Sequence, residues 1–115
     1  MKTSHSVAAK KRKKKLFSLT KGFWGKRGNV YRRAVETLRR GLAYAYRDRR
    51  NKKREFRSLW ITRINAASRA RGLGYRELIH GLKKNNIILS RDMLALLAAE
   101  QPEAFDKLVE TVKSN

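Results

Sequence analysis

Cysteine is absent from this sequence, and proline occurs once, at Pro102. Without thiols the chain can hold neither a disulfide framework nor a thiolate metal site, which excludes zinc fingers. Apolar runs are only a few residues long, so no segment is predicted to span a membrane. The N-terminal stretch MKTSHSVAAKKRKKK has no long apolar region behind its charges, which excludes a secretory signal. We therefore expect a reducing, intracellular environment.

Acidic residues are scarce, with nine Asp and Glu against 30 Lys and Arg among 115 residues, for a net charge of +21. The excess lies at one end. Residues 1–60 hold 21 basic and three acidic residues (+18), whereas residues 61–115 hold nine and six (+3). A charge distributed so unevenly indicates a polyanionic partner for the first half, because binding to phosphates relieves self-repulsion and releases condensed counterions.

Groups that could support catalysis are few. His5 and His80 are the only histidines, and neither can be paired with a nucleophile and an acid. Three acids lie near a proline at a predicted helix start: Glu100, Glu103 and Asp106. Carboxylates at a helix start are stabilised by the helix dipole, which accounts for them without a metal ion. The GFWGKRG segment has neither the dinucleotide-binding nor the P-loop pattern. We therefore predict that the protein is not an enzyme and has no metal, cofactor or small-molecule substrate.

One long helix is predicted over residues 30–71. Apolar residues from Tyr31 onward fall within one arc of a helical wheel, and the arc keeps its phase across the polar stretch at residues 47–55. A loop in the middle would not need to preserve this phase. Asn29 is a suitable N-cap and Gly72 a suitable stop. About 42 residues at about 1.5 Å each would make this helix on the order of 60 Å long.

Three short helices are predicted to follow: residues 75–84, a helix capped by Ser90, and one with Pro102 in its first turn. The fold class is therefore all-α, with a long basic helical N-terminal extension (residues 1–57) and a small C-terminal helical bundle domain (residues 58–115). The predicted core residues are Phe56, Leu59, Trp60, Ile64, Tyr75, Leu78, Ile79, Leu82, Met93, Leu94, Leu96, Leu97, Phe105, Leu108, Val109 and Val112.

Residues 47–55, here called the waist, contain no apolar side chain. The waist contains six basic residues and only two acidic ones, Asp48 and Glu55. One turn of the predicted helix therefore carries positive charge on every side. A charged linker helix exposed to water is the alternative interpretation, but such a helix normally alternates Glu with Lys. We favour a helix surrounded by phosphates. We also expect the isolated first 55 or so residues to be largely disordered without anions.

Aromatic residues are interleaved with these cations, as in many RNA-binding surfaces. Phe23 and Trp24 have two open interpretations: stacking on unpaired bases, or anchoring against the apolar stripe of the long helix. DNA is the competing polyanion, and a nucleoid-type DNA-packing protein is the alternative function. A basic zipper would need leucine heptads after its basic region, and residues 56–71 are too short for them. Nothing indicates a homodimer that spans two half-sites.

Several segments carry a family resemblance: KGFWG with VYRRA, AYAYRDRRNKKREFRSLWITRINAASRARG, YRELIHGLKK, and the LSRDMLA stretch. From about Lys10 onward the sequence resembles the L-twenty family of ribosomal proteins of the bacterial-type large subunit. The resemblance implies a basic extension threaded into 23S ribosomal RNA and a small helical domain that also lies on RNA. It further implies binding early in subunit assembly, beside neighbouring large-subunit proteins, and no part in peptide-bond formation.

The resemblance also implies a location in the ribosome, in the cytoplasm or in an organelle. Residues 3–6 (TSHS) depart from the basic segment usual there in the family, so we carry no RNA contacts onto them. The candidate RNA-binding residues are the cations Lys10, Lys11, Arg12, Lys13, Lys14, Lys15, Lys21, Lys26, Arg27, Arg32, Arg33, Arg39, Arg40, Arg47, Arg49, Arg50, Lys52, Lys53, Arg54, Arg57, Lys83 and Lys84, and the aromatics Phe23, Trp24, Tyr31, Tyr44 and Tyr46.

Overall fold

The computed structural model describes residues 6–114, and within this range the regular structure is helical. The elements are α1 (Val7–Leu19), a 3₁₀ turn (Gly25–Arg27), α2 (Tyr31–Arg69), α3 (Tyr75–Lys84), α4 (Arg91–Glu100) and α5 (Pro102–Lys113). The predicted all-α fold is confirmed. The chain forms two compact units that divide between Arg50 and Asn51, and α2 contributes residues to both. The predicted domain division after residue 57 stays a prediction.

The long helix α2 begins one residue later and ends two residues earlier than the sequence predicted, and it is continuous through the waist. Its end is a Schellman motif. Gly72 adopts a φ of 79°, its N–H donates to the carbonyl oxygen of Arg69, and the N–H of Leu73 donates to that of Ser68, both at 3.0 Å. Gly72 is therefore the helix stop, as predicted. Asn29 is not the N-cap, because it lies two residues before the first helical residue, Tyr31.

The N-terminal unit is organised by the turn between α1 and α2. Thr20 is fully buried, and its hydroxyl lies 3.4 Å from the carbonyl oxygens of both Phe17 and Gly28. A Cβ on Gly28 would lie 3.3 Å from the carbonyl oxygen of Phe23, so the chain closes tightly where glycine stands. This turn brings α1 beside the start of α2, where the Phe17 and Tyr31 rings meet edge to face with centroids 6.4 Å apart.

The C-terminal unit has an apolar core formed by α3, α4, α5 and the end of α2. Ile64, Leu78, Leu94 and Phe105 are the largest apolar side chains that it buries fully. The whole buried cluster is Ile64, Leu78, Leu82, Leu94, Ala95, Phe105 and Val109, and the partly buried side chains packed against it include Trp60, Tyr75, Ile79, Leu97, Leu108 and Val112. Most of the predicted core is therefore confirmed.

The core prediction is wrong at four positions. The side chains of Phe56, Leu59, Met93 and Leu96 are between 42% and 48% exposed. On the wheel of α4, the buried Leu94 and Ala95 lie on one side, and Met93 and Leu96 lie on the other. The short helices cover only one face of α4 and of this part of α2, so apolar residues outside that face remain at the surface.

The two ends of α3 are set by Glu77 and Asn86. The carboxylate of Glu77 accepts a hydrogen bond from the N–H of Gly74 at 2.8 Å, which satisfies a donor that precedes the helix. At the other end, Asn86 adopts a left-handed φ of 56°, and the N–H of Ile87 donates to the carbonyl oxygen of Leu82 at 2.9 Å. The end of α3 is therefore a second Schellman motif, with asparagine in the position that usually belongs to glycine.

The start of α4 differs from its prediction. Ser90 stands at the N-cap position, but its side chain makes no capping hydrogen bond. The hydroxyl instead donates to the carboxylate of Asp92, and this hydrogen bond is the main reason that the pKa of Asp92 is lowered. Asp92 lies in the first turn, where a carboxylate favours the helix dipole. At α5 the prediction is confirmed, because Pro102 occupies the first turn.

Arg71 fastens the end of α2 to α5 within the C-terminal unit. Its guanidinium donates to the carboxylate of Asp106 and, over 2.9 Å, to the carbonyl oxygen of Ala67, and it lies 5.1 Å from the centroid of the Phe105 ring. Lys113 donates from α5 to the carbonyl oxygen of Arg71 at 2.6 Å. The last turn of α2 and its carbonyl groups are therefore held by cations, which complement the helix dipole there.

Gly81 allows α3 and α5 to approach closely, and we expect Gly81→Ala to destabilise the protein. The new Cβ would overlap Cγ1 of Val112 and lie 3.0 Å from its Cγ2. Valine is stiff at χ1, so overpacking should cost about 1–3 kcal/mol and outweigh the helix-propensity gain of about 1 kcal/mol. Urea unfolding followed by Trp60 fluorescence would measure the change in the free energy of unfolding.

The matched control is Gly41→Ala, since a Cβ at that position would have no heavy atom within 4 Å apart from the nearby backbone and neighbouring residues of its own helix. This variant should be neutral or more stable. Combining Gly81→Ala with Val112→Ala should cost less than the sum of the two single changes, because the second change removes the overlap. Strictly additive costs would show that the two side chains do not meet.

Candidate nucleic-acid interface

All 22 cations predicted to bind RNA are exposed in the structure. Burying a charged side chain without an acidic partner costs free energy, so basic residues that lack such partners stay exposed to water. Lys10 to Lys15 lie in α1, where six consecutive residues cover every side of the helix. Lys21, Lys26 and Arg27 lie in the turn that follows. The first unit therefore presents positive charge from each of its elements.

The waist lies in the interior of α2, and its six cations are all exposed. Arg47 and Asp48 form an ion pair at 2.9 Å between side chains that are 60% and 59% exposed. The hydrogen bond to Asp48 raises the pKa of Arg47. With acids so few in this half of the sequence, like charges one helical turn apart, such as Arg49 and Lys53, repel each other.

Exposed tyrosines in the first unit are paired with cations. The Arg47 guanidinium lies 4.8 Å from the centroid of the Tyr44 ring, and that of Arg50 lies 4.6 Å from the Tyr46 ring. The two tyrosines are 55% and 56% exposed. Such cation–π pairs hold a ring in place while leaving surface on which a base can stack. Both partners of each pair are among the residues predicted from the sequence.

The structure separates Phe23 from Trp24. Trp24 is 88% exposed, so the anchoring interpretation is wrong for this residue and stacking remains its prediction. Phe23 is partly buried at the turn, and both of its interpretations stay open. Tyr31 is 48% exposed and lies 5.8 Å from the Lys13 ammonium group, measured to its ring centroid.

A groove between the 3₁₀ turn and α2 brings several of these residues together. Three guanidinium groups and a tyrosine line it, and its volume is about 340 Å³. Its cations and its tyrosine were predicted from the sequence, but the groove itself was not. The helical spacing of residues 33, 40 and 44 could have placed those three on one face, but no pattern predicted that the turn would bring residue 27 to them. The lining residues are Arg27, Arg33, Glu36, Thr37, Arg40, Gly41 and Tyr44.

The remaining candidates, Lys83 and Lys84, lie at the end of α3 in the other unit and are exposed. His80 is also exposed, on α3. His5 and the TSHS segment except Ser6 fall outside the described residues. Ser6 caps α1, since its side chain accepts a hydrogen bond from the N–H of Ala9 at 3.2 Å.

Residues 6–114 contain neither a metal-binding cluster nor a membrane-spanning helix. This part of the chain contains no group of three or more His, Cys, Asp or Glu side chains that could hold a metal ion. Over the same range, every helix is either too short or too polar to cross a membrane.

Comparison with known proteins gives one family. The sequence profile described as ribosomal protein L20 matches residues 2–108. The chain is 52% identical over 115 residues to the large ribosomal subunit protein bL20 of Synechococcus sp. (strain JA-2-3B'a(2-13)), covering 100% of this chain and 98% of that protein. It is 54% identical over 108 residues to bL20 of Methylibium petroleiphilum, covering 94% and 92%, respectively.

A relative from Bacteroides fragilis, also named large ribosomal subunit protein bL20, is 52% identical over 107 residues, or 93% of this chain and 92% of the relative. The match extends over both compact units and over every segment from which the resemblance was drawn. The chain therefore belongs to the ribosomal protein L20 family, whose members are structural proteins rather than enzymes, as the sequence predicted.

Proposed function

We propose that this protein is a structural component of the large ribosomal subunit that binds 23S ribosomal RNA directly and promotes early assembly of that subunit. Its partners would be this RNA and neighbouring large-subunit proteins, and its location the ribosome. The family membership supports a role in the large subunit, because the relatives carry that name. Direct RNA binding is supported by the surface of the N-terminal unit.

The observation that carries this proposal is the exposure of the cations. Residues 1–60 contain 21 basic and three acidic residues, and each of the 20 basic residues described there is exposed. Three acids cannot neutralise them, so their counterions must come from solution or from a partner. A polyanion that replaces condensed counterions gains free energy from releasing them, and RNA supplies one phosphate per nucleotide.

The arrangement can position RNA in two ways. Arginine forks bind phosphate through paired N–H groups, which fixes the path of the backbone. Exposed Trp24, Tyr44 and Tyr46 offer flat apolar surface to unpaired bases, which occur in the loops and junctions of a folded RNA. By clamping several strands at once, such a protein would favour compact RNA structures early in assembly.

Titration of the full chain with large-subunit RNA fragments over a range of salt concentrations tests this function. For each phosphate neutralised, the logarithm of the association constant should fall by about 0.7–0.9 per logarithmic unit of salt. We expect a steep dependence, with several phosphates involved, and preference for the RNA over duplex DNA of equal length. Affinity that does not respond to salt would contradict the proposal, and preference for duplex DNA would favour a DNA-packing role instead.

A further inference from the structure

Gly41, one of the residues that line this groove, leaves open space where a side chain would stand. A Cβ built on Gly41 would have no heavy atom within 4 Å, apart from the backbone of its own helix. Glycine in a helix interior costs about 1 kcal/mol relative to alanine, and here no neighbouring side chain requires it. The groove volume, about 340 Å³, lies at the lower end of the range for small-ligand sites, about 300–1,000 Å³.

The walls of this groove combine cationic and aromatic groups. Arg33 and Arg40 lie two turns apart on one face of α2, and Tyr44 lies on the same face one turn after Arg40. Arg27 approaches from the 3₁₀ turn. Arginine forks match phosphate oxygens. Tyr44 is 55% exposed and carries Arg47 over its ring. The groove thus places three phosphate-binding groups beside a surface on which a base can stack.

The two remaining lining residues do not neutralise the site. Glu36 is the one acid in the lining. Its carboxylate forms an ion pair with Arg32 on the preceding turn, with 3.8 Å between Oε1 of Glu36 and Nε of Arg32. The Thr37 hydroxyl donates to the carbonyl oxygen of Arg33 at 2.9 Å, so its proton is already engaged. Three guanidinium groups against one carboxylate leave a net charge of +2 in the lining, which favours an anionic ligand.

We propose that this groove binds one unstacked nucleotide of the RNA strand, with the base over Gly41 and against Tyr44 and the flanking phosphates on Arg27, Arg33 and Arg40. This inference rests on the proposed function and adds a site that reads the shape of RNA rather than its charge alone. The missing side chain at Gly41 gives the base access to the helix backbone. A larger residue there would occupy this open space without changing any charge.

Gly41→Leu in the full-length chain tests the site. Leucine is a good helix former, so α2 should be retained, which circular dichroism can check. We expect affinity for a large-subunit RNA fragment to fall about tenfold, the effect of losing one stacked base, while the salt slope stays unchanged. Ultraviolet crosslinking followed by mass spectrometry should find a nucleotide adduct on Tyr44 in the wild type and not in the variant. Adducts on Trp24 should persist in both.

The control is Ala66→Leu, which adds a similar side chain to an exposed position of α2 in the other unit and should leave the Tyr44 adduct intact. Salt-dependent RNA binding that is indifferent to Gly41→Leu, or a wild type without the Tyr44 adduct, would overturn the groove site and leave the proposed function standing. Absence of RNA binding would overturn both. Competition by free uridine or adenosine monophosphate at micromolar concentration would identify a free-nucleotide site and also overturn the proposal.

Discussion

Replacing the five cations Arg49, Arg50, Lys52, Lys53 and Arg54 with glutamine should weaken binding to large-subunit RNA on the order of a thousandfold at about 0.1 M salt. Each phosphate contact contributes about 0.7–0.9 to the salt slope, so losing five contacts should lower the slope by about four. All five side chains are exposed. Glutamine is nearly as good a helix former as arginine and lysine, so the change removes charge and leaves the helix. Filter binding or fluorescence anisotropy over a salt series would measure both quantities.

Two comparisons make this test specific. Arg49→Lys, Arg50→Lys and Arg54→Lys together keep every charge, so the salt slope should stay the same, and any loss of affinity would report the bidentate contacts of the arginine forks. Circular dichroism of the glutamine variant checks that the helix persists. A glutamine variant with an unchanged slope would mean that the waist faces water in the complex, and the charged-linker interpretation would then be correct.

The helices were predictable because their signals are local. The apolar residues of α2 keep one phase on either side of the waist, and nothing in the polar residues between them breaks a helix. Gly72 and Asn86 end α2 and α3 by adopting left-handed backbone conformations, which glycine and asparagine reach at low cost. Such features require no knowledge of the neighbouring elements.

The core predictions were wrong at positions where burial depends on how neighbouring helices pack. The apolar pattern shows that Met93 and Leu96 are hydrophobic, but burial depends on how much of α4 the other short helices cover. The same holds for Phe56 and Leu59, which lie before the part of α2 that contacts the cluster. At Ser90, the nearby carboxylate of Asp92 accepts a hydrogen bond from the hydroxyl, and residue type alone does not reveal that this acceptor competes with the helix N-terminus.

The candidate RNA-binding site also has one feature that residue types predict and another that depends on how the elements pack. Exposure of the cations follows from charge, because basic side chains that outnumber acids so strongly cannot be buried. The groove beside Gly41 does not follow, since it depends on the turn that Thr20 and Gly28 close and on the approach of Arg27 to α2. Which of the exposed cations contact RNA stays a prediction.

The isolated extension, residues 1–57, should be largely disordered in low salt and should become helical when RNA or polyphosphate is added. It carries 21 basic and three acidic residues, so its net charge is +18. Among its described residues, Thr20 and Ala34 alone are buried, so packing contributes little to set against the repulsion. Repulsion between like charges then opposes the helix until anions neutralise it. Far-ultraviolet circular dichroism would follow the transition.

The fragment of residues 58–115 is the natural comparison, because it retains Ile64, Leu78, Leu94 and Phe105 and carries little net charge. It should be helical and unfold cooperatively in the same low-salt buffer. Strong helical dichroism from the 1–57 fragment without anions would contradict coupled folding. The extension would then dock on RNA as a preformed helix, and none of the binding free energy would be needed to order it. If it is disordered alone, part of the binding free energy orders the helix, and removing waist cations should reduce both RNA affinity and RNA-induced helicity.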